Sequence, residues 1–202
     1  MNGTGTEVQK LQAMQFYGRA LLVKGDKAHD KDAFDLGLKT LEAAQRKIPA
    51  SSPEWRAEVL GTLATAYSLK GDDALELKNL DEAIRLSPGD PDRLNSRCYL
   101  LAKIGRLKQA LADCNESLNL RPNDLNTLDS RALTYLKLKQ PDSAIKDYEA
   151  VLRVRPKNAR ALYGRGIAEL MHGNKNQGTE DIAAAKAIQP GVAEEFARYG
   201  VK

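Results

Sequence analysis

Four prolines set the frame of this chain: Pro88, Pro122, Pro156 and Pro190 follow one another at intervals of 34 residues. Each closes an apolar helical pattern, in turn AIRLSP, SLNLRP, VLRVRP and AAKAIQP. Proline lacks an N–H and its ring collides with the preceding turn, so each of the four stops a helix. A fixed spacing of this size marks a repeat architecture, in which every unit buries its apolar side only by leaning on the next.

Between consecutive prolines lie two amphipathic segments, as in residues 125–138 and 142–154. In the second, Ala144, Ile145, Tyr148, Val151 and Leu152 fall on one helical stripe; in the first, Leu128, Ala132 and Tyr135 do the same. Breakers separate the two: Gly71-Asp72, Gly105, Gln140-Pro141 and Gly173-Asn174. Each unit therefore reads as a helical hairpin. Composition agrees, with 42% hydrophobic, 29% charged and only 5% aromatic residues, which suits helices with solvated outer faces and disfavours strands.

The unit starting at Leu125 carries Leu128, Ala132, Tyr135, Ala144, Tyr148, Val151 and Pro156, a pattern that resembles the tetratricopeptide repeat. The unit from Pro91 is a looser match, with Leu94, Cys98, Leu101, Ala110, Cys114, Ser117 and Pro122. The unit from Ala57 offers Leu60, Ala64, Tyr67, Leu80, Ala83 and Pro88 but has Glu76 where a small residue is expected. The unit from Ala159 has Leu162, Gly166, Ile182, Ala185 and Pro190, with Glu169 and Gly178 as departures. The resemblance implies an all-α, right-handed superhelix, an α-α solenoid of about five hairpins forming one continuous domain. Its parts are a flexible tail over 1–6, a degenerate first repeat with an insertion over 7–56, repeats at 57–90, 91–124, 125–158 and 159–190, and a C-terminal cap over 191–202. The first repeat has about seven extra residues around Asp26 to Asp32, and Ser51 to Trp55 form a second short insertion. Val192 to Arg198 read as an amphipathic turn covering the apolar edge of the last hairpin.

Charge adds little. The net +4 comes from 31 basic and 27 acidic residues interspersed along the chain, with one denser stretch from Arg121 to Arg165 holding ten basic and five acidic residues. No segment approaches the roughly 20 apolar residues that a membrane span needs. The start of the chain lacks the apolar core of a signal peptide. The expected compartment is cytoplasmic on the chain as it stands, and periplasmic or secreted if a leader was removed and the cysteines are oxidised.

Arg97, Arg131 and Arg165 recur at one repeat position, and each is followed 16 residues later by an aspartate: Asp113, Asp147 and Asp181. A partly buried guanidinium needs a carboxylate, so these read as three structural ion pairs. Cys98 and Cys114 both fall on core-facing positions of one hairpin. Their first reading is as free, buried small hydrophobes; the alternative is a disulfide between neighbouring antiparallel helices. His29 and His172 have no Cys or carboxylate at ligand spacing and read as surface residues, so no metal is expected. Phosphate loops, nucleophile elbows and zinc-protease motifs are absent from the sequence, and neither a catalytic site nor a cofactor is expected.

The resemblance implies a concave groove lined by the first helix of each hairpin. Its residues here would be Asn95, Tyr99 and Lys103, then Asn126, Asp129, Leu133 and Lys137, then Arg160, Tyr163 and Ile167. Such a surface suits a protein or peptide partner, an amphipathic helix or extended segment, with Tyr99, Leu133 and Ile167 as apolar anchors and Lys103, Lys137 and Arg160 favouring an acidic flank. The expected function is a non-enzymatic scaffold or adaptor. Chaperone-binding members of the family clamp a C-terminal carboxylate with Lys and Asn; the corresponding positions here hold Gly61, Thr65, Ser96, Asn126 and Ser130, which argues against that role. Alternatives are a single-stranded RNA-binding helical repeat, disfavoured by the period of 34, and a regulatory subunit of an enzyme encoded elsewhere.

Overall fold

Asp90, Asp124 and Asn158, at successive repeat positions, each turn a side-chain oxygen onto backbone N–H groups ahead of them: Arg93 N at 3.2 Å, Thr127 N at 2.8 Å and Ala161 N at 3.0 Å. Each is the N-cap of the first helix of a hairpin, and each such cap contributes about 1 kcal/mol to helix stability. Gly71, Gly105, Lys139 and Gly173, again one repeat apart, end those first helices in the left-handed region with φ of 73°, 86°, 58° and 105°. The residue after each returns its N–H to a carbonyl five positions back, closing the helix end (Asp72 to Tyr67, Arg106 to Leu101, Gln140 to Tyr135, Asn174 to Glu169). Three of the four positions are glycine because a Cβ is unfavourable there, and Lys139 is the exception. The four phasing prolines stand two residues beyond the ends of the second helices.

A computed structural model of the protein describes residues 3–201. Among them are eleven helices and no strand: α1 Gly3–Ala28, α2 Lys31–Lys47, α3 Pro53–Lys70, α4 Asp73–Leu86, α5 Pro91–Lys103, α6 Leu107–Leu120, α7 Leu125–Lys137, α8 Pro141–Val154, α9 Ala159–His172, α10 Lys175–Ile188 and α11 Val192–Arg198. Residues 1 and 2, the start of the expected tail, lie outside the described residues, and from Gly3 the chain is helical. The chain divides after Pro88 into two compact units, which the even repeat spacing does not foreshadow.

The first unit holds α1 to α4, each helix packed on the next. The extra residues around Asp26 lengthen α1 to 26 residues, and Asp30 then caps α2. Its core gathers Leu22, Leu38, Leu41, Ile48, Val59, Leu63 and Tyr67, with Trp55 from the second insertion against them. The Trp55 indole N–H donates to Gln15 Oε1 at 2.6 Å, and Gln15 Nε2 donates to Glu58 Oε1 at 2.9 Å, tying α1 to α3.

The second unit holds three hairpins, α5/α6, α7/α8 and α9/α10, plus α11. First helices lie beside first helices, α5 against α7 and α7 against α9. The core runs from Leu128 and Ala132 through Tyr148, Val151, Leu162 and Tyr163 to Val192, Phe196 and Val201. Across α9/α10 the small Gly166 faces Ile182, and the same repeat positions of α7/α8 hold Ala132 and Tyr148, both in the core. In α5/α6 that pair is Cys98 and Cys114. They are bonded as a disulfide with Cα atoms 5.4 Å apart, so the reading as free thiols is corrected: side chains on facing helices at the crossing are within bonding reach. Closing a loop of 16 residues stabilises a fold by about 3 kcal/mol. Urea titration with and without reductant should show a loss of about that size, and coincident transitions would mean that the bond contributes nothing.

Candidate functional site

The three recurring arginines each cross their own hairpin to a carboxylate. Arg97 donates through Nε and Nη2 to Asp113 at 2.7 and 2.8 Å, Arg131 to Asp147 at 2.8 and 2.9 Å, and Arg165 to Asp181 at 2.6 and 2.8 Å. The geometry is the two-pronged fork that suits guanidinium and carboxylate. All three aspartates are buried. Arg131 also donates through Nη1 to Asn115 Oδ1 at 2.9 Å, which links α7 to the preceding hairpin. Each pair ties the two helices of its hairpin together.

The residues expected to line a groove belong to α5, α7 and α9, and several of them are not open to a partner. Leu133, Tyr163 and Ile167 are buried, with 1%, 8% and 9% of their surface exposed, and Tyr99 packs against the same core. The apolar anchors expected for a partner are therefore covered by the chain itself. The C-terminal segment meets two rings of this face, Tyr163 and Tyr99. Phe196 of α11 stacks against Tyr163 with ring centres 4.9 Å apart, and Val192, Phe196 and Val201 are all enclosed. Beyond α11, Tyr199 reaches α5: its ring meets Tyr99 edge-on at 5.9 Å, and the Tyr99 hydroxyl donates to the Tyr199 hydroxyl at 2.6 Å.

Arg160, in the first turn of α9, is the hub of this contact. Its guanidinium lies 3.4 Å from Asp129 on α7, contacts Glu195 on α11, and sits over the rings of Tyr99 and Tyr199 at 5.3 and 5.9 Å. Its Nη1 also donates to the Tyr99 hydroxyl at 3.4 Å. Tyr199 in turn donates to Glu195 at 3.2 Å, and Gln189 Nε2 donates to the other Glu195 oxygen at 3.0 Å. One cation thus faces two carboxylates and two phenols. Burial pushes the Asp129 carboxyl above the usual carboxylate range, with Arg160 opposing. Burial disfavours charge on Arg160, but Asp129, Tyr99 and Glu195 outweigh it and hold the guanidinium firmly protonated. Burial and the bond from Tyr99 raise the Tyr199 phenol.

The other expected groove residues divide. Lys137 donates to the carbonyls of Ala102 and Lys103 at 2.6 and 3.1 Å, satisfying the end of α5, which corrects its reading as an acidic-flank contact. Lys103 and Asn95 are half-buried, and Asn126 is exposed, accepting from Arg155 at 3.2 Å. Glu195, Phe196 and Tyr199 were not among the expected site residues. The signal for them was present: Val192, Phe196 and Tyr199 stand at i, i+4 and i+7, a stripe longer than the edge of one hairpin requires. Of the two histidines, His29 has a left-handed backbone and His172 Nδ1 lies 2.6 Å from Asp142 at the surface.

Residues 130–193 match a family model described as a tetratricopeptide repeat. A search of curated proteins gives no match. Among solved structures, MamA is similar with a TM-score of 0.65 and 18% identity, covering 88% of this chain and 94% of its own. YrrB, described as a TPR protein with an unusual peptide-binding site, has a TM-score of 0.66 and 20% identity over 89% of this chain and 88% of its own. A tetratricopeptide repeat protein from Parabacteroides merdae has a TM-score of 0.67 and 25% identity over 91% of this chain and 74% of its own.

Proposed function

We propose, because this chain is a tetratricopeptide-repeat protein, that it works as a non-enzymatic scaffold which holds a peptide or helix of a protein partner on the shared face of α5, α7 and α9. The observation that carries this reading is that the face already accepts a helical segment, the chain's own residues 192–201, through a charged hub and an aromatic floor. Aromatic rings and an arginine set in a largely enclosed patch are the groups that dominate binding energy where helices dock in grooves. YrrB, of similar fold, is described as having a peptide-binding site, which gives the reading a parallel.

A photoreactive amino acid placed at Asn126, at the exposed edge of this face, or at Lys146, on the outward side of α8, tests the proposal. Irradiation in cells should give discrete protein adducts from position 126 and none from 146. Adducts from both alike, from 146 alone, or from neither would remove this face from consideration.

A further inference from the structure

We infer that the pocket around Arg160 is a receptor for a helical segment that carries a carboxylate followed by aromatic residues one and four positions later, and that residues 192–201 are a built-in occupant which such a partner displaces. The inference rests on the scaffold reading above and deepens it by naming the chemistry of the ligand.

The first support is the reach of the contact. Covering the edge of α9 and α10 needs only the apolar side of α11, yet the chain continues past that helix to join Tyr199 to Tyr99, 100 residues away in sequence. Glu195, Phe196 and Tyr199 each find a dedicated counterpart on the face: Arg160, Tyr163 and Tyr99. A carboxylate on a guanidinium, with aromatic rings one step and one turn later, is the recognition pattern of a docked helix rather than of a generic apolar cover.

The second support is that the occupant is lightly built. α11 has seven residues, well short of the length at which a helix persists alone in water, so its order comes from the face it lies on. It joins α10 through Gln189-Pro190-Gly191, a connection with an exposed glycine, and short elements held by a few contacts belong to the part of a fold that opens most readily. Its release would leave α5 to α10 with their disulfide and three ion pairs intact.

The third support is charge. Without the segment, Arg160 and Asp129 neutralise each other. Glu195 brings in a second carboxylate, so the closed site holds one positive and two negative groups in a largely enclosed space. The attraction between Arg160 and Glu195 is thereby opposed by Asp129, which keeps the built-in contact from becoming permanent.

The probe is a fluorescent peptide of residues 189–201, titrated into the full chain. A tether of a few residues gives the built-in segment an effective concentration in the millimolar range, so the wild type should bind the probe weakly. A chain carrying Glu195→Ala and Tyr199→Ala, two half-buried positions, should bind it about tenfold more tightly or better. Adding Arg160→Gln to that chain should abolish the gain. Circular dichroism and a melt establish that each variant retains its hairpins.

Equal affinity for wild type and the double variant would overturn the inference, as would a gain that survives Arg160→Gln or a folded double variant that does not bind the probe. A wild-type dimer that exchanges the segment between copies would overturn it too, by assigning the pocket to a second copy. Probe failure alongside adducts at position 126 would sink this inference and spare the scaffold reading. Probe binding without such adducts would do the reverse.

Discussion

Arg131→Ala is expected to destabilise the second unit by about 4 kcal/mol, because it strands a buried carboxylate. Asp147 is only 4% exposed and takes both prongs of the Arg131 guanidinium. Removing one partner of such a pair forfeits the attraction and leaves the desolvated charge behind. In a chain of this size that corresponds to a fall of roughly 10 °C in melting temperature. Arg121→Ala is the comparison. Arg121 also holds an aspartate, Asp92, at 2.6 Å, but both side chains are largely exposed and the loss should stay below about 1 kcal/mol. Thermal melts of the two variants that fall together would show that enclosure is not what gives the recurring pairs their weight.

Gly164→Ala should be nearly as damaging, and its sign is informative. Alanine is the better helix former by roughly 1 kcal/mol, so on helix propensity alone the change would stabilise α9. A Cβ at residue 164, however, would lie 2.2 Å from Tyr148 Cζ and 2.4 Å from its hydroxyl oxygen. Tyr148 is fully enclosed in the core and has no room to turn aside. The overlap should prevail, with a net loss of about 3 kcal/mol in urea titration. Tyr148→Leu introduced beside Gly164→Ala should recover part of that loss, since the two changes act on one contact. Strictly additive effects would refute the clash.

Much of this architecture can be read from spacing. Prolines at intervals of 34 mark the ends of second helices, glycines and aspartates at the same interval mark the ends of first helices, and an arginine followed 16 residues later by an aspartate marks a crossing between the two. These features are local to a hairpin, and a repeat writes them several times over. The match of residues 130–193 to the tetratricopeptide repeat takes in most of the unit from Leu125, which carries the pattern most fully, and the unit that follows it.

What could not be read depends on contacts that occur once. Helical period places Leu133, Tyr163 and Ile167 on one side of their helices but carries no information on whether another part of the chain lies over that side. The segment that meets Tyr163 and Tyr99 belongs to another element, and the bond between Tyr99 and Tyr199 has no counterpart among the described residues from which to learn it. The cysteines were ambiguous for a different reason. A small residue on the first helix is the rule at these repeat positions, and a cysteine there facing a second cysteine packs equally well as a thiol or as part of a bond; only the 5.4 Å separation of their Cα atoms decides.

The enclosed Val201 side chain bears on how the protein is handled. A label or insertion placed directly after Val201 would begin just past a seated anchor, where its bulk would tug on the very contact being measured. A label at Lys146, exposed on α8, would leave that contact undisturbed.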